Sequence, residues 1–394
     1  MTHTQPSLQI TGPWLTHPAT QGVLGLLEDA GHSAYLVGGT VRNALMGLPV
    51  TDLDAATDAL PARVTELAEA RGLKVIPTGI EHGTVTILVD AEPVEVTTFR
   101  RDVATDGRRA VVAFTSDISE DARRRDFTMN ALYVDRSGTV VDPLEGLQDV
   151  LSRRIRFIED PDRRIQEDHL RTLRFFRFSA RYADRTVEPD PDALAAIMRN
   201  LDGLSSLSGE RIGSEILKIL ATPDPTHVVE IMASAGVLDR VLPQAETSRL
   251  ADLVRAEKSL GITADPLRRL VAMNFVTGDL LRLSRSDCKR LLRLFEHAKS
   301  VTDPREIAWR EGVCTARDVI ALRAAAGETP PASDRDLERA EAATFPVSAR
   351  DLMPRFTGPA LGLELQRLQR AWIASDFTLD ATALLKTPHT RTSQ

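Results

Sequence analysis

Much that would classify a protein quickly is missing from this sequence. It has two cysteines, Cys288 and Cys314, in 394 residues. That excludes a disulfide framework and a cysteine-based zinc site, and it fits a reducing, cytoplasmic setting. No apolar run approaches the roughly 18 residues a membrane-spanning helix needs. The opening segment, MTHTQPSLQITGPWL, lacks the basic-then-apolar order of a secretory signal. There is no His-x-x-x-Asp phosphohydrolase signature, no zinc-ligand spacing, no internal repeat and no low-complexity tract. Positive charge is in deficit: 49 Lys and Arg stand against 56 Asp and Glu, a formal net charge of -7. Summed over the whole chain, that argues against a nucleic-acid binder.

What is present is local. Hydrophobic residues at 42% and charged residues at 27% describe a globular protein. The length calls for more than one hydrophobic core, about two to four domains. Between Arg123 and Arg181 there are thirteen Arg and ten Asp or Glu, with three Arg consecutive at 123–125. Such a run is either a solvated helix face or an anion-binding wall, and spacing decides between them.

Residues 34–37 (AYLV) read as a short buried strand, followed by Gly38 and Gly39 and then by helical spacing of Val41, Ala44 and Leu45. Strand, glycine turn and helix form a recurrent phosphate-binding layout, because the start of a helix offers free N–H groups. Residues 62–70 read as helix. Residues 73–76, 84–89, 94–98, 131–135 and 139–141 read as strands, rich in β-branched side chains. After Pro161 the periodicity is helical throughout, with Pro and Gly punctuation and a linker candidate at 324–337. The expected architecture is α+β: a head with a mixed β-sheet, then a long helical body.

Thr51-Asp52-Leu53-Asp54 puts two carboxylates two residues apart, which in a strand places them on one face. Side by side they repel unless a cation lies between them. Mg²⁺ is the usual partner where a nucleoside triphosphate reacts, held by one or two carboxylates and by phosphate oxygens. A lone D-x-D also occurs in exposed turns, so its context matters. Gly38-Gly39-Thr40-Val41-Arg42 lies shortly before it, with glycines that let backbone approach a triphosphate and an Arg that can fork onto it. Glu95, in the segment VEVTT, is a third carboxylate; it is either a member of the same acidic group or a surface strand residue.

These motifs resemble, in order, those of the class II tRNA nucleotidyltransferases and their relatives the bacterial poly(A) polymerases. L-V-G-G-x-V-R followed by D-x-D is similar to the family's first signature. Glu95-Val96-Thr97-Thr98-Phe99-Arg100 resembles its next strand, and Arg124-Arg125-Asp126-Phe127-Thr128-Met129-Asn130-Ala131 its second signature. Glu167-Asp168-His169-Leu170-Arg171-Thr172-Leu173-Arg174 resembles the helix that reads the incoming base. Ser208-Gly209-Glu210-Arg211 and Asp351-Leu352-Met353 with Thr357-Gly358-Pro359 extend the match to about residue 365. The resemblance implies a polymerase-β-like nucleotidyltransferase head at 1–150, then helical neck (151–222), body (223–325) and tail (326–394). It further implies catalysis at Asp52, Asp54 and Glu95, with Mg²⁺ on Asp52 and Asp54. Gly39, Arg42 and Arg125 would contact the triphosphate. The implied partners are the tRNA 3′ end, CTP and ATP, with no membrane.

Chemistry sharpens the reading of the neck. On one continuous helix, Asp168 and Arg171 would be neighbours, an acceptor beside a donor. Cytosine and adenine both present an amino donor beside a ring acceptor, whereas uracil and guanine invert that pattern. Mispairing would cost about 1–3 kcal/mol per buried group. An intrahelical surface ion pair is the commoner use of such spacing. Arg174 and Arg177 continue the step, suited to triphosphate or base stacking, while Phe175, Phe176 and Phe178 fill the core beneath. His169 reads as structural, and Asp126 as an orienting group for Arg125 or the ribose, or as a helix cap.

Two features depart from the family. Position 43 is Asn where the signature has Asp, so an orienting role toward Arg42 loses its charge. The stretch between Phe99 and Phe114 reads as a shortened loop with Asp106-Gly107-Arg108-Arg109 but neither Tyr nor Pro. In the family that loop is linked to the switch from C to A addition, so a CC-only or A-only specialisation stays open. Two further readings remain: a poly(A) polymerase, disfavoured by the short and scarcely basic TPHTRTSQ end, and a non-catalytic RNA-binding protein. RNA affinity carried by a few Arg clusters should weaken as salt rises.

Overall fold

The structure, a computed structural model, describes residues 8–106, 109–328 and 332–387. The chain forms two compact units, Met1–Pro243 and Gln244–Gln394.

In the first unit, strands β1 (Ala34–Val37), β2 (Asp54–Thr57), β3 (Lys74–Gly79), β4 (Thr84–Val89) and β5 (Glu92–Thr98) lead to a separate antiparallel hairpin, β6 (Arg100–Asp106) with β7 (Arg109–Phe114). Two short strands follow, β8 (Tyr133–Val134) and β9 (Val140–Val141). The main sheet has the order β3-β4-β5-β2-β1-β8-β9, antiparallel except for β2 against β5. The strands expected at 34–37 and 84–89 form there. The one expected at 131–135 shortens to β8.

The stretch read as a loop between Phe99 and Phe114 is instead the β6–β7 hairpin. Its tip, Gly107 and Arg108, lies outside the described residues. Asp106-Gly107 between two apolar-containing runs is a hairpin signal that the family resemblance, which implied a loop here, does not carry.

Helices Pro18–Asp29 and Pro61–Ala70 pack on the sheet, each beginning with Pro at its first position, where no N–H is needed. Val23, Leu24 and Leu27 of the first helix, Val64 and Ala68 of the second, and Val85, Ile87, Val94 and Val96 of the sheet are buried. Each fully buried large apolar side chain stabilises by about 1.5–3 kcal/mol.

Helix Pro161–Glu167 starts on Asp160, whose carboxylate accepts from the Arg163 N–H at 3.0 Å. Helix Leu170–Tyr182 follows, and its burial repeats every three residues: Arg171, Arg174 and Arg177 are partly exposed while the pairs between them are buried. Phe175, Phe176 and Phe178 fill the core as expected. Phe127 and Phe157 join them, with ring centroids 4.9 Å apart for Phe127–Phe178 and 5.7 Å for Phe157–Phe175. This aromatic layer fixes the Arg-bearing helix against the segment that carries Arg124–Asn130.

The second unit is helical, and among the described residues no strand follows β9. Trp309, Phe345, Trp372 and Phe377 form one apolar cluster. Into the 324–337 stretch run the end of helix Val313–Ala325 and the start of helix Asp334–Ala342; residues 329–331 lie outside the described ones. No helix among the described residues is long and apolar enough to cross a membrane.

Candidate active site

A polar cleft of about 490 Å³ opens in the first unit. Its walls are the Gly38-Gly39 turn, Arg42, the start of β2 at Asp54, the run Arg124–Asp126, Asn130, and the neck residues Asp168, Arg171, Arg174 and Arg211. Six guanidiniums face three carboxylates here. An open cleft with that imbalance attracts a polyanion. Of the residues expected from the sequence, Gly39, Arg42, Asp54, Arg125, Asp168, Arg171 and Arg174 line it. Asp52, Glu95 and Arg177 do not.

The parallel register sets Asp54 directly beside Glu95. Along β5 the buried Val94 and Val96 alternate with exposed Glu95, so the two carboxylates share the sheet face opposite those valines. Asp52 is not in the strand. Its carbonyl accepts from Thr40 Oγ1 at 2.8 Å, which ties it to helix Gly39–Leu45 and leaves Asp54 as the first residue of β2. The same-face argument therefore holds for Asp54 and Glu95 rather than for Asp52 and Asp54. Burial, then Glu95 and Asp52, push the Asp54 carboxyl up to about 6 against the opposing pull of Arg125.

Gly38 has φ 67° and ψ -119°, a conformation that only glycine adopts without strain, and it delivers the chain from β1 into helix Gly39–Leu45. Arg42 on that helix is buried, and burial lowers its pKa. Its guanidinium lies 4.2 Å from the Tyr182 ring centroid and donates to Tyr182 Oη at 2.8 Å and to Asn130 Oδ1 at 2.5 Å. Asn43 Oδ1 accepts from both its Nε (3.2 Å) and its Nη2 (2.9 Å). The departure at position 43 thus keeps the fork-holding contact through a neutral oxygen. Asn43 also donates from Nδ2 to the Pro49 carbonyl at 2.9 Å, which an Asp could not do.

Arg125 donates to Asp121 (2.9 Å) and to Tyr133 Oη (3.3 Å). Burial alone would raise the Asp121 carboxyl, but Arg125 and Arg124 outweigh it and hold that group at about 2. Asp126 does not orient Arg125. Its Oδ2 accepts from Arg174 Nε (2.8 Å), and its Oδ1 accepts from the Phe127 N–H (2.9 Å) and from Asn130 Nδ2 (2.8 Å). Burial would raise this carboxyl too, and Arg174 and Asn130 together bring it below the ordinary value.

The neck differs from the continuous helix that the spacing suggested. At Asp168 the backbone is extended (φ -156°, ψ 105°), and its carboxylate accepts from the Leu170 N–H at 3.1 Å, so one helix stops and another begins. Asp is prone to this local capping. Asp168 and Arg171 consequently do not pair. Asp168 is held by Arg211 Nη2 at 2.8 and 3.0 Å, and Arg171 by Glu167 at 2.6 Å and the Arg164 carbonyl at 2.9 Å. Both side chains still face the cleft. Arg177, outside it, binds Glu215 at 2.6 Å. Sequence reasoning assigned no role to Asn130, Arg211 or Tyr182. Arg211 and Asn130 lay within quoted motifs, while Tyr182 gave no signal beyond its helical spacing from Phe178.

A family model described as the poly A polymerase head domain matches residues 34–156, and one described as the probable RNA and SrmB-binding site of polymerase A matches 187–248. The mitochondrial CCA tRNA nucleotidyltransferase 1 of Mus musculus is 33% identical over 405 residues, spanning 96% of this chain and 92% of that protein. The chain belongs to the CCA tRNA nucleotidyltransferase family. A Bacillus stearothermophilus CCA-adding enzyme solved in complex with CTP has 27% identity and a TM-score of 0.72, covering 93% of this chain and 94% of its own. A Thermotoga maritima CCA-adding enzyme solved with tRNA shares the fold at 18% identity and a TM-score of 0.70, covering 97% and 98%.

Nucleotidyltransferases of this type generally use a divalent metal ion. The acidic edge suits one: Asp54 is crowded by like charge from Glu95 and Asp52, which a cation would relieve. Among the described residues no three His, Cys, Asp or Glu side chains converge to enclose a metal. A cation here would complete its shell with phosphate oxygens and water.

Proposed function

We propose that this protein adds C and A to the 3′ end of tRNA, using CTP and ATP without a nucleic-acid template. The observation that carries the reading is the cleft itself: an acidic strand end, a glycine turn backed by a buried Arg, and an Arg-lined neck helix meet at one opening. In the reaction the RNA 3′-oxygen forms a bond to the α-phosphorus, the α–β phosphoanhydride breaks, the hydroxyl proton is lost and pyrophosphate leaves.

In this reading Asp52 and Asp54 hold Mg²⁺, and Glu95 completes the acidic edge. When bound, Mg²⁺ supplies charge neutralisation at the triphosphate and activation of the 3′-hydroxyl. Gly39, Arg42 and Arg125 receive the triphosphate. Asp168 accepts the amino hydrogen of C or A and Arg171 donates to the ring acceptor, each held ready by a third residue. Arg174 extends that wall, and Arg177, braced by Glu215, supports it from outside the cleft. We assign residues 1–150 as catalytic head, 151–222 as neck, 223–325 as body and 326–394 as tRNA-binding tail. A cytoplasmic setting is supported by free Cys288 and Cys314, although the mouse relative is a mitochondrial protein by name.

The test is a tRNA transcript lacking CCA, incubated with Mg²⁺ and CTP, ATP or both, with products read at single-nucleotide resolution. Addition of CCA followed by a stop is expected. A stop at CC, or A added only to a CC end, would narrow the activity. Long A tails from ATP alone would move it to poly(A) synthesis.

A further inference from the structure

We infer that Asn130 is a positioning residue that couples the triphosphate side of the cleft to its base-reading side. This rests on the proposed nucleotidyl transfer. Asn130 is buried, and its one amide spans two charged groups. Its Oδ1 accepts from Arg42 Nη1 at 2.5 Å, and its Nδ2 donates to Asp126 Oδ1 at 2.8 Å. Asp126 in turn accepts from Arg174 at 2.8 Å, one helical turn beyond Arg171. The chain Arg42–Asn130–Asp126–Arg174 therefore runs unbroken from the helix behind the glycine turn to the neck helix.

The chemistry suits an amide and little else. The site needs an acceptor toward a guanidinium and a donor toward a carboxylate, within one small side chain. Aspartate would keep the acceptor for Arg42 but set a second carboxylate against Asp126. Alanine would leave both neighbours short of a partner in a buried place. Asn43 and Tyr182, the other hydrogen-bond partners of Arg42, do not reach Asp126, so the amide is the hydrogen-bonded link between the two ends, beside the Phe178 ring that lies 5.2 Å from Arg42 and 5.6 Å from Arg174.

The two substitutions separate the two ends. With tRNA lacking CCA and saturating Mg²⁺, single C and U additions are measured for the full-length protein and for Asn130→Asp and Asn130→Ala. Competition by inorganic triphosphate reads the triphosphate end, where Gly39, Arg42 and Arg125 lie, without the base. Asn130→Asp should hold triphosphate affinity within about threefold yet narrow the preference for CTP over UTP by about tenfold, because a shifted Arg174 displaces the helix that also carries Arg171. Asn130→Ala should weaken triphosphate binding by about tenfold as well as narrow that preference. Wild-type values in both variants would overturn the coupling. So would an equal fall in kcat for every nucleotide with KM and preference unchanged, which is what a purely structural role gives. If the unmodified protein incorporates nothing, the transferase reading fails; direct binding of inorganic triphosphate then tests the Asn130 link separately, and equal binding by Asn130→Ala and the parent would overturn it.

Discussion

Two arginine–carboxylate networks in this molecule look alike in a list of ion pairs and differ in what they are for. In the second unit, Arg268 and Arg269 both bind Glu257 (2.7 Å each), Arg268 also binds Asp318 at 2.5 Å, and Arg290 bridges Asp318 (2.7 Å) and Asp265 (2.9 Å). Three guanidiniums meet three carboxylates, and Glu257, Arg268 and Arg269 are each less than 5% exposed. In the first unit six guanidiniums and three carboxylates line a cleft that opens to solvent, with Asp121 behind Arg124 and Arg125 and Glu167 behind Arg171. Burial of charge is therefore no sign of function. Guanidiniums presented to an opening, with Asp121 and Glu167 set behind them, are, because an anion from solvent can reach them.

The comparison is broken most directly by cutting each network. Glu257→Ala takes from two buried guanidiniums the carboxylate they share and should destabilise Gln244–Gln394 by about 3–5 kcal/mol, seen in the full chain as an early step in urea unfolding. Arg171→Ala lies in the first unit, and Glu167 keeps Arg164 as a partner, so the early step should be absent while the preference for CTP over UTP narrows by about tenfold in single-addition kinetics. An Arg171 variant that unfolds early with unchanged preference would make the cleft merely another structural network.

Asp121 sharpens it at the next level. It lies behind the cleft and is nearly enclosed, with a folded pKa of about 2 against the ordinary 3.8. Because the folded value is depressed, its stabilisation of about 2 kcal/mol is complete above pH 3.8 and fades as pH falls through about 2. Asp121→Asn should remove that part of the acid dependence of the unfolding midpoint. An unchanged acid limb would show that Arg124 and Arg125 find other partners.

The smallest effect concerns Asn43. Asn43→Asp should change KM for CTP by less than about threefold, since the oxygen that Arg42 uses remains and only the bond to the Pro49 carbonyl is lost. Asn43→Ala, which removes that oxygen, should raise KM by about tenfold. Equal KM values across the three proteins would mean that Asn130 and Tyr182 hold Arg42 unaided.

Short-range signals in the sequence carried far. The strand–glycine–helix turn at 34–45, the strands at 84–98 and the Arg and Phe faces of the neck helix all follow from local periodicity and glycine chemistry. What escaped depends on distant or competing contacts. The pairing of Asp54 with Glu95 comes from a parallel register between strands about forty residues apart in sequence, which no local pattern specifies. Asp52 leaves the strand because Thr40 captures its carbonyl. The break at Asp168 is a side-chain cap that competes with helical spacing, and it transfers Asp168 to Arg211, a partner 43 residues away.

The central claim is that the cleft transfers nucleotides through its acidic edge. Its most direct test sets the unmodified protein beside Asp54→Ala on the same tRNA lacking CCA, with CTP, ATP and Mg²⁺, scoring both extension and tRNA retention. The account predicts CCA extension by the parent. In the variant extension should fall by at least about 10³-fold, near 4 kcal/mol of barrier, with tRNA binding unchanged. Extension by the variant at the parent's rate, or tRNA binding without extension by either protein, would contradict it.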